Sequence, residues 1–217
     1  MTGSPPTPTP AWSLTVPTDG ASPYLLPLLA AASAASPAAV AVVWTAPGPP
    51  PPDLRRALDG LSCDVLPDDG PPNIQRWWNR GIAASPTDAV LVVNDDVSWS
   101  SSAPAVLAAA LAASGATLAA PASPSPVLGW CFALDRSHGV LPDEGYRWFY
   151  GDDDLFRRAA SEGRGTVRPA MPPPGVVHRK FRNAERWAFR DLCRADALRW
   201  AASAASAASA ASAPPGG

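Results

Sequence analysis

An α/β domain with a mostly parallel sheet flanked by helices is the fold class the sequence predicts. Unbroken apolar runs of strand length recur along the chain, as in AAVAVVW and AVLVV. Segments of helical length and pattern lie between them, several bounded by proline at the start or glycine at the end. Such alternation produces parallel strands joined by crossover helices, and fully apolar strands are those covered on both faces. Of the 217 residues 28 are proline, and their clusters at 5–10, 47–52, 121–126 and 172–174 mark loops, because proline cannot donate to a ladder.

The elements follow in order. Residues 1–11 are expected to be a flexible leader, 12–200 one domain, and 201–217 a low-complexity Ala/Ser tail, for which alanine propensity allows an extension of the last helix but a frayed, dispensable end is favoured. WSLTVPT at 12–18 reads as a strand and PYLLPLLAAASAAS at 23–36 as an apolar helix. A buried strand over 38–46 precedes a short helix over 51–60 with proline first and glycine last. CDVLP is a brief strand. Over 73–85, Asn73 is the expected N-cap of a helix whose apolar face carries Ile74, Trp77, Trp78 and Ile82. A strand over 89–93, a helix over 103–114 ended by Gly115, and the strand ATLAAP come next. After Pro126 the alternation breaks. VLGWCFALDRS is strand-like, a helix starts near Asp152, GTVRPA is a strand, and an amphipathic helix covers 185–200.

Composition excludes several classes. A net charge of −2 draws the chain neither to nucleic acid nor to membrane. No apolar run approaches the ~20 residues that span a bilayer, so no membrane insertion is expected. The start carries no secretory pattern. Cys63, Cys131 and Cys193 are odd in number and widely spaced, and read as reduced thiols in a cytoplasmic protein. With only His138 and His178, a His-rich metal centre is excluded.

Two acidic clusters stand out. VLVVNDDV drives a hydrophobic strand into Asn94, Asp95 and Asp96, at the strand end where open α/β sheets bind ligands. YGDDDLFRR places Asp152, Asp153 and Asp154 at the start of a helix. Acidic residues in a first turn are also favoured by the helix dipole, so one such aspartate alone needs no functional reason. A lone histidine at a strand end is likewise often only a surface residue. Together the clusters and His178 fit one arrangement. Asp96 and His178 hold Mn²⁺ or Mg²⁺ against a diphosphate, and a carboxylate of the second cluster acts as base.

The order TVPT, NIQRWWNRGI, VLVVNDDV, GWCFALDRS, LPDEGYRWFYGDDDLFRR, VVH resembles the family-two glycosyltransferases with the GT-A fold, over roughly residues 12–182. That resemblance implies a Rossmann-type sheet and transfer of a sugar from a nucleotide-diphosphate sugar to a hydroxyl acceptor, with inversion. It implies donor contacts at Pro17, Thr18, Asp19, Asn79, Asn94, Asp95 and Asp96, with Asp96 and His178 on the metal. Trp130 and Trp148 would flank the acceptor cleft, where sugar rings stack on aromatic faces. The catalytic base would be Asp152 or Asp153, since Gly151 stands where the family usually has Glu. The base-reading acid after the second strand is replaced by TAPGPPPP, with Asp68 and Asp69 as candidate substitutes. Asp19 stands where the family often has an aromatic.

Two other readings remain open: a catalytically degenerate module that only binds a nucleotide sugar, and a transferase acting on a hydroxylated nucleic-acid base. For the second, residues 178–199 hold seven Lys and Arg against three acids, although a solvated helix face has the same composition. YGDD also occurs in polymerase palm domains, but there it lies in a hairpin, and here a helix follows. No Walker loop or dinucleotide glycine fingerprint is present.

Overall fold

Strands β1 (Trp12–Thr18), β2 (Ala39–Trp44), β3 (Cys63–Pro67) and β4 (Ala89–Val93) pair in parallel in the spatial order β3-β2-β1-β4. These assignments come from a computed structural model that describes residues 10–122, 129–171, 175–180 and 189–212. The leader before residue 10, the helix start expected at Glu185 and residues 213–217 of the tail lie outside them. Beyond β4 the sheet continues with β7 (Cys131–Asp135), β6 (Leu118–Ala119) and β8 (Thr166–Val167), making seven strands. Strand β7 runs antiparallel to both β4 and β6, and β6 is parallel to β8. One reversed strand thus interrupts the parallel sheet where the sequence alternation breaks.

The strands alternate their side chains between two cores. Leu91 and Val93 of β4 face one cluster with Leu14, Val16, Leu28, Leu107 and Leu111. Val90 and Val92 face the other, with Trp78, Ile82, Phe132, Leu155 and Phe156. This period of two requires an apolar residue at every β4 position, which is why the strand reads as an unbroken run. The first cluster is covered by α1 (Leu25–Ser33) and α4 (Ala103–Ser114), the second by α3 (Ile74–Ala84) and α5 (Gly151–Ser161). Helix α2 (Pro52–Gly60) packs beside β3.

The boundary signals act as their chemistry requires. Asn73 caps α3 by accepting from the Arg76 N–H at 3.0 Å. Gly115 ends α4 in the left-handed conformation at φ 62°. Two features differ from the sequence reading. Strand β5 (Val97–Trp99) pairs antiparallel with β9 (Val176–His178) in a separate two-stranded sheet. Three residues carry too little periodicity to announce such a strand. Helix α6 (Arg190–Ser212) also runs on into the Ala/Ser repeat instead of fraying at residue 201, consistent with the high helix propensity of alanine. No helix among the described residues is long and apolar enough to cross a membrane.

Gly81 sets the approach of α3 to β1, since a Cβ there would overlap the Thr15 side chain. Gly81→Ala should destabilise the domain by about 2 kcal/mol, the cost of overpacking a filled interface. At this chain length that corresponds to a fall in Tm of roughly 4–8 °C, read by thermal denaturation.

Candidate functional site

The carboxyl ends of β1, β2 and β4 open into a cleft of about 720 Å³. The strand order reverses direction between β1 and β4, and such a switch point leaves a crevice free of crossover connections. Pro17, Thr18, Asp19, Asn94, Asp95, Asp96, Trp130, Trp148, Asp152 and His178 all line it. Ten of the residues expected from sequence therefore converge from five separate stretches of chain.

At the β4 end the adjacent carboxylates turn to different partners. Thr18 donates from Oγ1 to Asp95 Oδ2 at 2.6 Å and accepts from the Gly20 N–H at 2.9 Å. Ser22 Oγ donates to the Asp95 carbonyl at 2.7 Å. The loop after β1 is thereby tied to the end of β4. Asp96 Oδ2 lies 3.1 Å from His178 Nε2, and the Arg179 N–H donates to the Asp96 carbonyl at 2.8 Å. The β5–β9 pairing, with Val97 opposite His178, delivers the imidazole to that position. Trp130 stacks on His178 with ring centroids 5.2 Å apart.

These groups fit a divalent cation. A carboxylate oxygen and an imidazole nitrogen converge in a cleft, the mixed donor set that Mn²⁺ accepts and that Mg²⁺ supplements with phosphate oxygens. Beside them, Asn94 Oδ1 is buried and has no hydrogen bond among the described residues, so it is an acceptor without a donor. No cluster of three or more His, Cys, Asp or Glu suited to a metal exists among the described residues. The protein offers a partial coordination shell, which a ligand's oxygens would have to complete.

The opposite wall contains the start of α5. The three consecutive aspartates diverge there. Asp154 is buried and paired with Arg157 and Arg158 at 2.6 Å each, an i+3 and i+4 arrangement on the helix flank. Asp153 is half-buried, which pushes its carboxyl upward, and is not among the cleft-lining residues. Asp152 faces the cleft. Burial, and after it the neighbouring charge of Asp153, push the Asp152 carboxyl up to about 6, against the N–H groups of Asp152, Asp153 and Gly129. Gly129 must be glycine for this packing, because a Cβ there would meet the Asp152 side chain. Of the three consecutive aspartates, Asp152 alone lines the cleft, with its carboxyl raised toward neutral pH.

Two expected contributors serve elsewhere. Asn79 does not line the cleft; its amide donates to the Pro142 carbonyl at 2.9 Å and to Glu144 Oε1 at 3.0 Å, tying α3 to the loop before α5. Asp68, a candidate reader of the nucleobase, accepts both Arg76 Nη2 at 2.6 Å and Nε at 3.1 Å. Partial burial opposes its charge, but Arg76 and the Gly70 N–H hold its carboxyl below the ordinary range. Its oxygens are committed to the guanidinium. Arg186 of the basic segment lies outside the described residues, and no Lys or Arg lines the cleft among those described.

The sequence reading missed Phe149 and Phe189, which line the cleft beside Trp148. Trp148 stacks on Phe189 at 4.0 Å and meets Trp77 edge-on at 6.1 Å. The composition WFY signalled aromatic crowding but not which ring faces inward. The three cysteines are free thiols, and burial pushes Cys63 up to about 11 and Cys131 higher still.

No protein-family model and no curated protein matches the chain. Solved structures do. The mannosyltransferase PcManGT from Pyrobaculum calidifontis, in complex with GDP-Man and Mn²⁺, is 17% identical with a TM-score of 0.69, over 97% of this chain and 78% of that one. Glucosyl-3-phosphoglycerate synthase from Mycobacterium tuberculosis, in complex with Mn²⁺, UDP-glucose and phosphoglyceric acid, is 14% identical with a TM-score of 0.66, over 87% and 79%. TarS from S. aureus is 11% identical with a TM-score of 0.59, over 75% of this chain and 58% of that structure. At these identities the likeness is one of fold: the seven-stranded mixed sheet and its flanking helices form a GT-A-type fold.

Proposed function

We propose that the chain is a metal-dependent glycosyltransferase that moves a sugar from a nucleotide-diphosphate sugar to a hydroxyl acceptor, with inversion at the anomeric carbon. The observation that carries this reading is one cleft holding Asp96 with His178 on one side and Asp152, its carboxyl raised to about 6, on the other. The similar structures from P. calidifontis and M. tuberculosis hold a nucleotide or nucleotide sugar with Mn²⁺, which supports the same donor class here.

Asp96 and His178 would hold Mn²⁺ or Mg²⁺, and the cation would neutralise charge developing on the leaving diphosphate. Pro17, Thr18 and Asp19 border the nucleotide end, with Asp95 fixed by Thr18. Asn94 offers its unpartnered Oδ1 to a donor hydroxyl. Trp130, stacked on His178, and Trp148, stacked on Phe189, line the cleft where a sugar-like acceptor would sit. Asp152 takes the acceptor hydroxyl proton as that oxygen bonds to the anomeric carbon. The bond from that carbon to the diphosphate oxygen breaks, and the nucleotide diphosphate leaves with the electron pair. Of the two candidate bases, cleft position favours Asp152 over Asp153. The structure gives the nucleic-acid acceptor no support, because the described cleft is acidic and aromatic.

Calorimetric titration with a panel of nucleotide diphosphates, with and without Mn²⁺, tests the donor site. One nucleotide should bind in a metal-dependent manner, and Asp96→Ala should abolish that binding. If no nucleotide binds with metal present, the proposal fails. Binding without any turnover would leave the degenerate binding module.

Asp152→Asn should lower turnover by roughly 10²–10⁴-fold with nucleotide affinity unchanged. In the wild type, turnover should fall as pH drops through about 6, because the base must be ionised. Stability should run the other way. A carboxyl raised in the folded state binds its proton more tightly there than in the unfolded chain, so the ionised form costs stability at neutral pH. Asp152→Asn should therefore raise Tm at pH 7. That difference should narrow below about pH 6, which paired melting curves across pH would detect.

A further inference from the structure

Asp196 is the most heavily bonded buried carboxylate of the C-terminal helix, and nothing in the proposed chemistry uses it directly. It is 2% exposed, within α6. Its oxygens accept three consecutive backbone N–H groups of the segment before α5. Trp148 donates to Oδ2 at 2.6 Å and Phe149 to Oδ2 at 2.8 Å, while Arg147 is shared between Oδ1 at 3.0 Å and Oδ2 at 3.1 Å. Successive N–H groups converging on one anion form a nest, and such charge-assisted bonds are stronger than neutral ones. The curl ends at Tyr150, which takes the left-handed conformation at φ 61°. Gly151 then opens α5, and Asp152 follows.

The segment held in this way is the acceptor wall itself. Trp148, Phe149 and Asp152 line the cleft. Helix α6 supports the same segment further along, with Arg199 paired to Asp143 at 2.8 Å and Trp200 stacked near Tyr150 at 6.0 Å. From the other side, α3 donates the Ile74 N–H to the Arg147 carbonyl at 2.9 Å, and its cap Asn73 donates to the Glu144 carbonyl at 2.9 Å. Apolar packing alone would hold α6 against the loop. Only the carboxylate dictates the backbone direction at three successive residues.

We propose that Asp196 is the positioning residue of the acceptor side, fixing the backbone of residues 147–149 and through it the Trp148 and Phe149 walls and the placement of Asp152. What is positioned rests on the glycosyltransferase reading; the clamp itself does not.

The test uses the full chain carrying Asp196→Asn, which keeps the shape but sets an NH₂ group among N–H donors. Amide exchange at residues 147–149 should accelerate roughly ten-fold while β4 stays protected. Mn²⁺-dependent nucleotide-diphosphate affinity, read by calorimetry, should stay within about two-fold of wild type. Release of nucleotide diphosphate from the cognate donor sugar, with water or a simple glycoside as acceptor, should fall roughly 100-fold in kcat, the cost of misplacing reacting groups. Arg199→Ala removes a different α6 contact and should keep that kcat within about two-fold. Two outcomes overturn the proposal: unchanged exchange and kcat in Asp196→Asn, or loss of nucleotide affinity in parallel with kcat, which marks general destabilisation. If the wild-type chain binds no nucleotide, the proposed function fails separately, and exchange at residues 147–149 still decides whether Asp196 holds the loop.

Discussion

Two carboxylates one residue apart cannot both end a buried strand unless each is given its own partner, and the β4 side of the cleft is arranged around that constraint. Asp95 is taken by the Thr18 hydroxyl of β1 and Asp96 by the His178 imidazole of β9. The first bond ties the β1 loop to the end of β4. The second requires a strand from late in the chain to return beside β5. Like charges on neighbouring residues repel, and a separate partner for each offsets that repulsion. Trp130 stacks on the imidazole, and its carbonyl accepts the Asn94 N–H at 2.9 Å.

The α5 wall is built differently. Among the described residues no Lys or Arg lines the cleft beside Asp152, whose carboxyl is held by backbone N–H groups, so burial dominates and its carboxyl is raised. Its neighbour Asp154 has two arginines and is spent on structure. Helical geometry separates these roles. Successive residues on α5 point about 100° apart, so adjacent aspartates cannot share an environment. The one facing the cleft keeps a raised carboxyl, and the one facing Arg157 and Arg158 anchors the helix.

Much of this was legible in the sequence because it depends on local pattern. The apolar run of β4 announces its two-sided burial, Asn73 announces the α3 cap, and Gly115 the end of α4. The acidic clusters were visible as clusters, and the end of a strand is where a cleft belongs. What was not legible depends on contacts between distant residues. The β5–β9 pair spans some eighty residues with three on each side, too few to show alternation. Asn79 was a donor contact by family resemblance, yet its amide is turned to the 142–144 loop. Asp68 carried a charge that suits base reading, but Arg76, eight residues on, takes it. Asp196 gave no signal, since an aspartate within a basic amphipathic helix reads as a solvated surface residue.

The two halves also differ in how they are held. The β4 side is attached to the parallel strands β1 and β4, whose backbone belongs to the sheet. The α5 side is a segment between β7 and α5 held by side chains of α3 and α6. A loop fixed by one buried carboxylate and a few flanking contacts can open locally at far lower cost than a central strand. The helix that supplies that carboxylate is the last of the described elements, so the backbone of residues 147–149 is fixed only when α6 is docked against it.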